Sequence, residues 1–441
     1  MQNFKFKSFL DKIYLEKQIS KKNSIIKYEE IINSKINTIS QYKANKKNTF
    51  YMKYPSGEIY FGYGKTISIN ININNDIKIL KNNDYSILTN NDKVLNFFGG
   101  LSFDLDNKNH YPWSEIPKGR FLIPKILIKQ ISGKTILTYF KIVTQKTRKS
   151  YILHDFNKEF DSIKNIKSSK QNNTQINLEY QKPNKNDYLS NIQNVIKKIN
   201  NKDLSKVVIS RLSKYSLKKG LDKGHLVEYL NKKHPNCFNF FINFNKDKSF
   251  IGSSPEKLIK LSNNTTLSID ALAGSSKKIN DLRKIKEIDE HNHVIKHIKD
   301  IMSPICKKIH IPKKPETLNL KYIHHLITSI TGELKNKTHI IDLIKKLYPT
   351  PALLGYKSKK ALQIINDIEK TDRGWYGGCI GTFDTTGNGD FFVPIRSCLL
   401  NKRKLFIFTG SGIVSKSNPE KEWEETQIKS KHILDYFKNL I

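Results

Sequence analysis

Three short apolar runs near the C-terminal end, separated by turn-forming residues and closed by a capped helix, set the tightest limit on how this chain can fold. Trp375 to Phe383 and Phe391 to Leu399 read as strands, and Asp384-Thr-Thr-Gly-Asn-Gly389 between them tolerates a tight turn, so the two form a hairpin. Leu405 to Thr409 is a third run, followed by Gly410-Ser-Gly412, a turn where two positions without a Cβ let backbone amides approach a ligand. Ser417-Asn-Pro-Glu420 has the form of a helix start, with Pro419 at or near the first helical position. On that helix Glu422, Glu425 and Lys429 are spaced by three and four and share a face. Most such faces are merely solvated. The glycines directly before this one point instead to a site for a metal and an anionic organic substrate.

Upstream, the first 45 residues are polar with scattered isoleucines, and a helix is expected around Ile25 to Ile39. Asn48 to Tyr54 and Glu58 to Tyr63 read as strands flanking a Pro-Ser-Gly turn. Leu95 to Phe103 is another run, and Arg120 to Gln130 pairs with Lys134 to Val143 across Ser-Gly. Residues 157–186 are rich in Lys, Asn, Gln and Ser and are expected to form a long surface loop. From Asp187 the patterns sharpen: Tyr188, Ile192, Val195, Ile196 and Ile199 keep the register of an amphipathic helix. Lys206 to Leu217 reads as a strand, Gly224 to Lys233 as a helix, and Phe238 to Phe244 and Phe250 to Ser253 as strands. Leu258 to Leu261 and Thr266 to Ala271 form a hairpin about Asn263-Asn264, and Ile285 to Ile301 is a long amphipathic helix. Strands and helices mix without regular βαβ alternation, which favours an α+β fold. Neither half carries a self-contained pattern, so 1–186 and 187–441 are expected to be two parts of one domain.

The formal charge of +37 would ordinarily suggest a nucleic-acid or membrane-surface partner. Only seven of the 77 basic residues are arginine, however, and Lys, Asn and Ile are abundant everywhere, as codon bias would make them. No RNA-binding aromatic signature, Cys/His finger or basic amphipathic helix accompanies the charge, so neither nucleic acid nor membrane is expected as a partner. The same bias gives weight to Arg211, Arg373 and Arg396, where a planar bidentate donor has been kept. Cys237, Cys306, Cys379 and Cys398 have no zinc spacing and are expected to be reduced and buried. Neither a signal-peptide core nor an apolar run of membrane-spanning length is seen, and a soluble, cytoplasmic protein is expected.

An ordered set of motifs runs from about Asp187 to the end: KVVISR, GSSPEKL, ALAGS, DEHNHV, HHLITSITGEL, PTPALLGY, RGWYGG, FVPIRS, TGSGIV and PEKEWEET. This set resembles the chorismate-utilising enzymes, which comprise the isochorismate, salicylate, anthranilate and aminodeoxychorismate synthases, and within them it is most similar to the isochorismate synthases. FFGGLSFD at Phe97 to Asp104 extends the likeness more weakly towards the N-terminus. The resemblance implies a single large α+β domain with two large antiparallel sheets flanked by helices. It also implies chorismate as substrate, Mg²⁺ as cofactor, and conversion to isochorismate by addition of water at C2 and loss of the C4 hydroxyl.

Carried over residue by residue, Lys206 becomes the general base that activates water, a task a desolvated lysine can perform. Glu256 becomes the general acid that protonates the departing hydroxyl, which requires a carboxyl kept neutral by burial. Glu290 and Glu425 become the metal ligands, a pair suited to a hard cation that keeps waters, with Glu422 behind them. His325 would lie near the ring carboxylate while His324 points the other way. Tyr376 and Arg396 would bind the enolpyruvyl carboxylate, and Lys429 and the amides around Gly274, Gly410 and Gly412 would help hold the rest. Two departures are small: Ser275 stands where the family has threonine, and Gly410-Ser-Gly412 where it has Gly-Ala-Gly. Anthranilate synthases usually carry glutamine at the place of Lys206, and aminodeoxychorismate synthases often a lysine nucleophile at that of Ala273. Ammonia chemistry and a glutamine amidotransferase subunit are therefore not expected. A salicylate synthase, which would go on to eliminate pyruvate in the same site, shares all these motifs and stays open as the alternative.

Overall fold

The computed structural model describes residues 2–16, 23–32, 48–72, 80–81, 85–106, 109–164, 174–201, 204–321, 323–347, 353–355 and 358–438. The fold is α+β, built on two large sheets. The first has twelve strands, in the order Ile176–Lys182, Val207–Leu217, Lys404–Ile413, Ser397–Asn401, Lys248–Ser254, Phe238–Asn243, Phe50–Lys53, Ile59–Tyr63, Ile126–Ile131, Lys134–Val143, Ser24–Ile32 and Ser86–Thr89. The second has ten, running from Cys306–His310 through His324–Leu334, Thr266–Ser276, Lys257–Ser262, Gly389–Phe392, Cys379–Asp384, Asn96–Leu101 and Gly119–Ile123 to Ile67–Ile71, with Glu316–Asn319 paired beside His324–Leu334. Among the described residues only Ser24–Ile32 and Ser86–Thr89 pair in parallel. Strands from before and after residue 186 share both sheets.

One apolar core fills the space between the sheets, where Phe98, Phe240, Ile259 and Phe391 meet. A second lies on the outer face of the twelve-stranded sheet, where Phe6, Leu10, Ile152, Phe156, Leu226 and Ile433 bring in the helices Gln2–Leu15, Lys149–Lys164, Lys223–Lys233 and Pro419–Lys438. Cys237, Cys306, Cys379 and Cys398 are free and buried. None of the helices among the described residues is long and apolar enough to cross a membrane.

Several local expectations are corrected. Ile25 to Ile32 is strand rather than helix, and 33–39 lie outside the described residues. Here Ile25 faces the inter-sheet core while Ile26 and Tyr28 face the outer one, and strands on both sides supply the ladder. The 157–186 loop is also overturned where described: a helix runs to Lys164 and a strand spans Ile176–Lys182. The helix buries Ile152, Phe156 and Phe160, a stripe that a Lys/Asn-rich composition masks. The strand lies at the sheet edge with both faces largely exposed, so it has no apolar alternation to read.

Two runs read as single strands each divide between the sheets at a proline. Gly119–Ile123 and Ile126–Ile131 lie in different sheets on either side of Pro124, and Gly389–Phe392 and Ser397–Asn401 on either side of Pro394. Gly410-Ser-Gly412 is strand interior, not turn.

Candidate active site

Two of these sheet-to-sheet passages lie side by side and supply the centre of a cavity. Lys248–Ser254 ends in the first sheet and Lys257–Ser262 begins in the second, which leaves Glu256 in the passage. The return passage carries Arg396. The Val393 amide donates to the Glu256 carbonyl at 3.0 Å, and the Ser253 amide to the Arg396 carbonyl at 3.2 Å, so each crossing fixes the other. The cavity beside them is lined by Lys206, Glu256, Ala273, Ser275, Glu287, Glu290, His325, Tyr376, Arg396, Gly410, Gly412, Glu422, Glu425 and Lys429, among others.

Lys206 reaches this space from the start of Val207–Leu217. Its Nζ lies 2.7 Å from Glu290 Oε1 on the helix Ile285–Met302, and its side chain is almost wholly buried. Val208 pairs with Gly412 on the neighbouring strand, and a Cβ added at Gly412 would come within 2.9 Å of Lys206 Cε. That glycine is therefore a seat for the lysine, which the expected ligand-facing amide did not foresee. Gly410 offers its carbonyl, which accepts from Lys429 Nζ at 2.9 Å.

The helix Pro419–Lys438 begins as expected, with the Asn418 side chain accepting from the Lys421 amide at 3.1 Å. It turns Glu422, Glu425 and Lys429 into the cavity, where Lys429 also pairs with Glu425 at 2.5 Å. Across from it, Glu287 and Glu290 are three apart on one helix face. Glu287 was not foreseen; its Oε2 accepts the Ser275 amide at 2.7 Å, and its spacing from Glu290 was the available signal. Gly274 does not line the cavity. At φ +76° it forms the β-bulge that swings Ser275 inward, and a Cβ there would meet the Glu287 carbonyl at 2.8 Å.

Ser275 Oγ lies 2.8 Å from His325 Nδ1, while His324, as expected, turns away to Asn319. Burial, then Arg396 and Lys429, push the His325 pKa well down, so the ring is neutral. Burial also pushes the Glu256 carboxyl up to about 7, although Lys206 and Lys429 pull the other way. Burial lowers Arg396 to about 10, although Glu425 pulls the other way. Tyr376 packs its ring on Phe408 with centroids 5.5 Å apart and is pushed up to about 12 by burial, so its hydroxyl stays protonated. Behind the cavity wall Arg373 is fully engaged with Glu369 and with the carbonyls of Leu353 and Val208, while Glu369 also accepts from the Ser210 amide and hydroxyl. Arg211 lies over the Trp423 ring, 4.2 Å from its centroid, and donates to Thr426. These two arginines brace the strand bearing Lys206; of the three arginines singled out in the sequence, Arg396 alone faces the cavity.

A family description, chorismate binding enzyme, matches residues 9–438. The chain belongs to the chorismate-binding enzymes. It is 32% identical over 348 residues to isochorismate synthase MenF of Bacillus subtilis, an alignment covering 76% of this chain and 73% of that protein. Isochorismate synthase EntC of Escherichia coli is also 32% identical, over 53% of this chain and 62% of its own length. Among solved structures, that of MenF, the menaquinone-specific isochorismate synthase from Escherichia coli, superposes with a TM-score of 0.78 at 20% identity, covering 99% of both chains. Anthranilate synthase component I from Streptococcus pneumoniae superposes at 0.70 with 16% identity. Structures described as an isochorismate synthase and as an anthranilate synthase component thus share this fold.

Proposed function

We propose that this chorismate-binding enzyme is an isochorismate synthase. The observation that carries the reading is Glu256: a largely buried carboxyl, raised by burial to about 7, in the same cavity as Lys206 and with alanine at position 273. A carboxylic acid that stays protonated near neutrality can donate to a departing hydroxyl. Lys206 would take a proton from water as its oxygen bonds to C2 of chorismate. The C4–O bond breaks with the ring double bonds shifting, and the Glu256 proton leaves with that oxygen as water. Arg396 and Tyr376 would bind one carboxylate, with Ser275 and His325 orienting the ring. Ala273 offers no amine for covalent attack.

Mg²⁺ fits the donor set. Glu287, Glu290, Glu422 and Glu425 line one cavity with oxygen donors, and the nearby imidazole of His291 is turned to Thr328 and the Ala273 carbonyl; among the described residues no three of these groups are gathered into a cluster that would hold an ion, so substrate oxygens and waters would complete the shell. Glu290 and Glu425 would hold the ion, which when bound would counter the substrate's negative charge and replace the lysines as partners of these carboxylates. Because water is the nucleophile, no amidotransferase subunit is called for, and four buried free thiols support a cytoplasmic setting.

Purified protein with chorismate and Mg²⁺ should yield isochorismate by chromatography, and a folded sample that yields none overturns the reading. Fluorescent salicylate arising without a second enzyme would assign the longer reaction instead. Lys206→Ala should abolish turnover while substrate binding persists.

A further inference from the structure

Arg396 is held in a way that sets it apart from Arg373. Its backbone lies at φ +52° within the sheet crossing, its side chain is buried, and Nε meets no acceptor. Arg373 is paired with the Glu369 carboxylate, but among the described residues no carboxylate comes within ion-pair distance of Arg396. Its two amino groups meet imidazoles instead: Nη1 lies 3.3 Å from His432 Nδ1, and Nη2 lies 3.3 Å from His325 Nε2. A guanidinium can only donate, so both ring nitrogens must be unprotonated acceptors. The His325 proton is then on Nδ1, directed to Ser275 Oγ, and the His432 proton is on Nε2. His234 stacks on His432 with centroids 4.0 Å apart and the rings 16° from parallel, which fixes the plane of that imidazole.

We infer that His432, braced by the stacked ring of His234, is a positioning residue that aims Arg396 without neutralising it, so that the whole guanidinium charge is kept for a substrate carboxylate. The inference rests on the reading of Arg396 as a carboxylate anchor. A carboxylate at position 432 would steer the arginine equally well, but it would form a bidentate pair and compete with the ligand. A neutral imidazole gives direction alone. Burial first keeps His432 neutral, and the groups that face it add to this: Arg396, His234, His325 and Lys321 each disfavour a second positive charge.

Three substitutions in the full chain test this. His432→Leu removes the acceptor and should raise the KM for chorismate about tenfold to a hundredfold, the range expected for a lost hydrogen bond to a charged group. His432→Glu should raise it at least as far by capturing the guanidinium, and His432→Asn, which returns an acceptor near the Nδ1 position, should restore most of the affinity. In all three kcat should change far less than KM. A merely structural role would lower thermal stability in the Leu variant and leave KM of the folded enzyme alone, which overturns the inference. Arg396→Gln separates the two readings: if it raises KM while the His432 variants do not, positioning by His432 fails and the anchor stands. If it leaves KM unchanged, the anchor reading fails and the inference with it. Nitrogen NMR of histidine-labelled wild-type enzyme needs no variant to fold; a proton on His432 Nδ1 would rule out acceptance from Arg396.

Discussion

Among the chain's passages between its sheets, two side-by-side pairs treat charge in opposite ways. At the first, Tyr63 to Thr66 runs beside Pro124 and Lys125: the Lys125 amide donates to the Tyr63 carbonyl at 3.1 Å, and the Thr66 amide to that of Ile123 at 2.8 Å. The Thr66 hydroxyl meets two carbonyls, and Lys125 Nζ meets Asp155 at 2.6 Å and Glu159 at 2.9 Å. Burial works against the Lys125 ammonium, but the two carboxylates prevail and its pKa rises. At the second, Glu256 and Arg396 are driven by burial towards their neutral forms, and neither has an opposite charge within ion-pair distance among the described residues. The backbone problem is the same, a proline-marked passage whose neighbours close its hydrogen bonds. A crossing that only joins sheets satisfies its charges internally, whereas the second leaves an acid and a base unmatched. Unmatched buried groups at a cavity wall point to a ligand.

Glu256→Gln is the strongest way to break the comparison. If the unmatched acid is the proton donor, kcat falls by about 10²–10⁴-fold. The melting temperature should hold or rise, since an amide in the same place cannot ionise. Retained turnover would mean the second crossing is structural like the first. Lys125→Met is the converse experiment: it takes the ammonium from Asp155 and Glu159, although Asp155 keeps Lys141 at 3.1 Å and the Tyr139 hydroxyl at 2.7 Å, and should cost about 1–3 kcal/mol, towards the lower end for a partly solvated, multiply paired group. Denaturant unfolding reads that loss, and kcat and KM should not move.

The pH dependence of the rate is a finer probe of the same acid. Only protonated Glu256 can donate, so kcat/KM should decline as pH rises through about 7, approaching tenfold per unit beyond it. A flat profile from pH 6 to 9 would remove Glu256 as the donor.

Much of the second crossing could be read from the sequence, and the first could not. Glu256 follows Ser-Ser-Pro, and Arg396 follows Val-Pro-Ile in a chain that has kept few arginines. Each is an odd residue in an apolar setting, which is where sequence reasoning has purchase. The hairpin at Asn263-Asn264, both with positive φ, and the helix start at Pro419 were legible because turns and caps are local chemistry. Which sheet a strand joins is not local. Phe391 to Leu399 reads as one strand, and only long-range pairing shows it to be two. Ser24–Ile32 misled for a related reason: Ile25, Tyr28 and Ile32 fit a helical spacing, and both faces of the strand are covered, so the alternation that marks strands is absent. Gly412 was noticed for the right property and given the wrong use, because the lysine it accommodates lies two hundred residues away. Glu287 was missed because one carboxylate among many on a polar helix carries no mark until the bulge at Gly274 brings the Ser275 amide to it.

The smallest expected effect is on stability against pH, and it distinguishes the crossings by sign. Glu256 has a folded pKa above its unfolded value, so its contribution is fully present below about 4.5 and is lost as pH rises through about 7. His325 and His432 are lowered by burial, so theirs is present above their ordinary range near 6.5 and is lost as pH falls below it. Near neutrality the site's residues thus destabilise the fold in both directions, each by no more than about 1.4 kcal/mol per pH unit for one proton. Lys125 has a raised pKa, so its contribution is fully present below the pKa of a free lysine and is lost only as the pH rises beyond it. Unfolding free energies measured from pH 5 to 9 should therefore peak near the middle of that range. Glu256→Gln should flatten the alkaline limb and Lys125→Met should lower the whole curve without changing its shape. An alkaline limb that survives in Glu256→Gln would place the titrating group elsewhere and leave the two crossings alike.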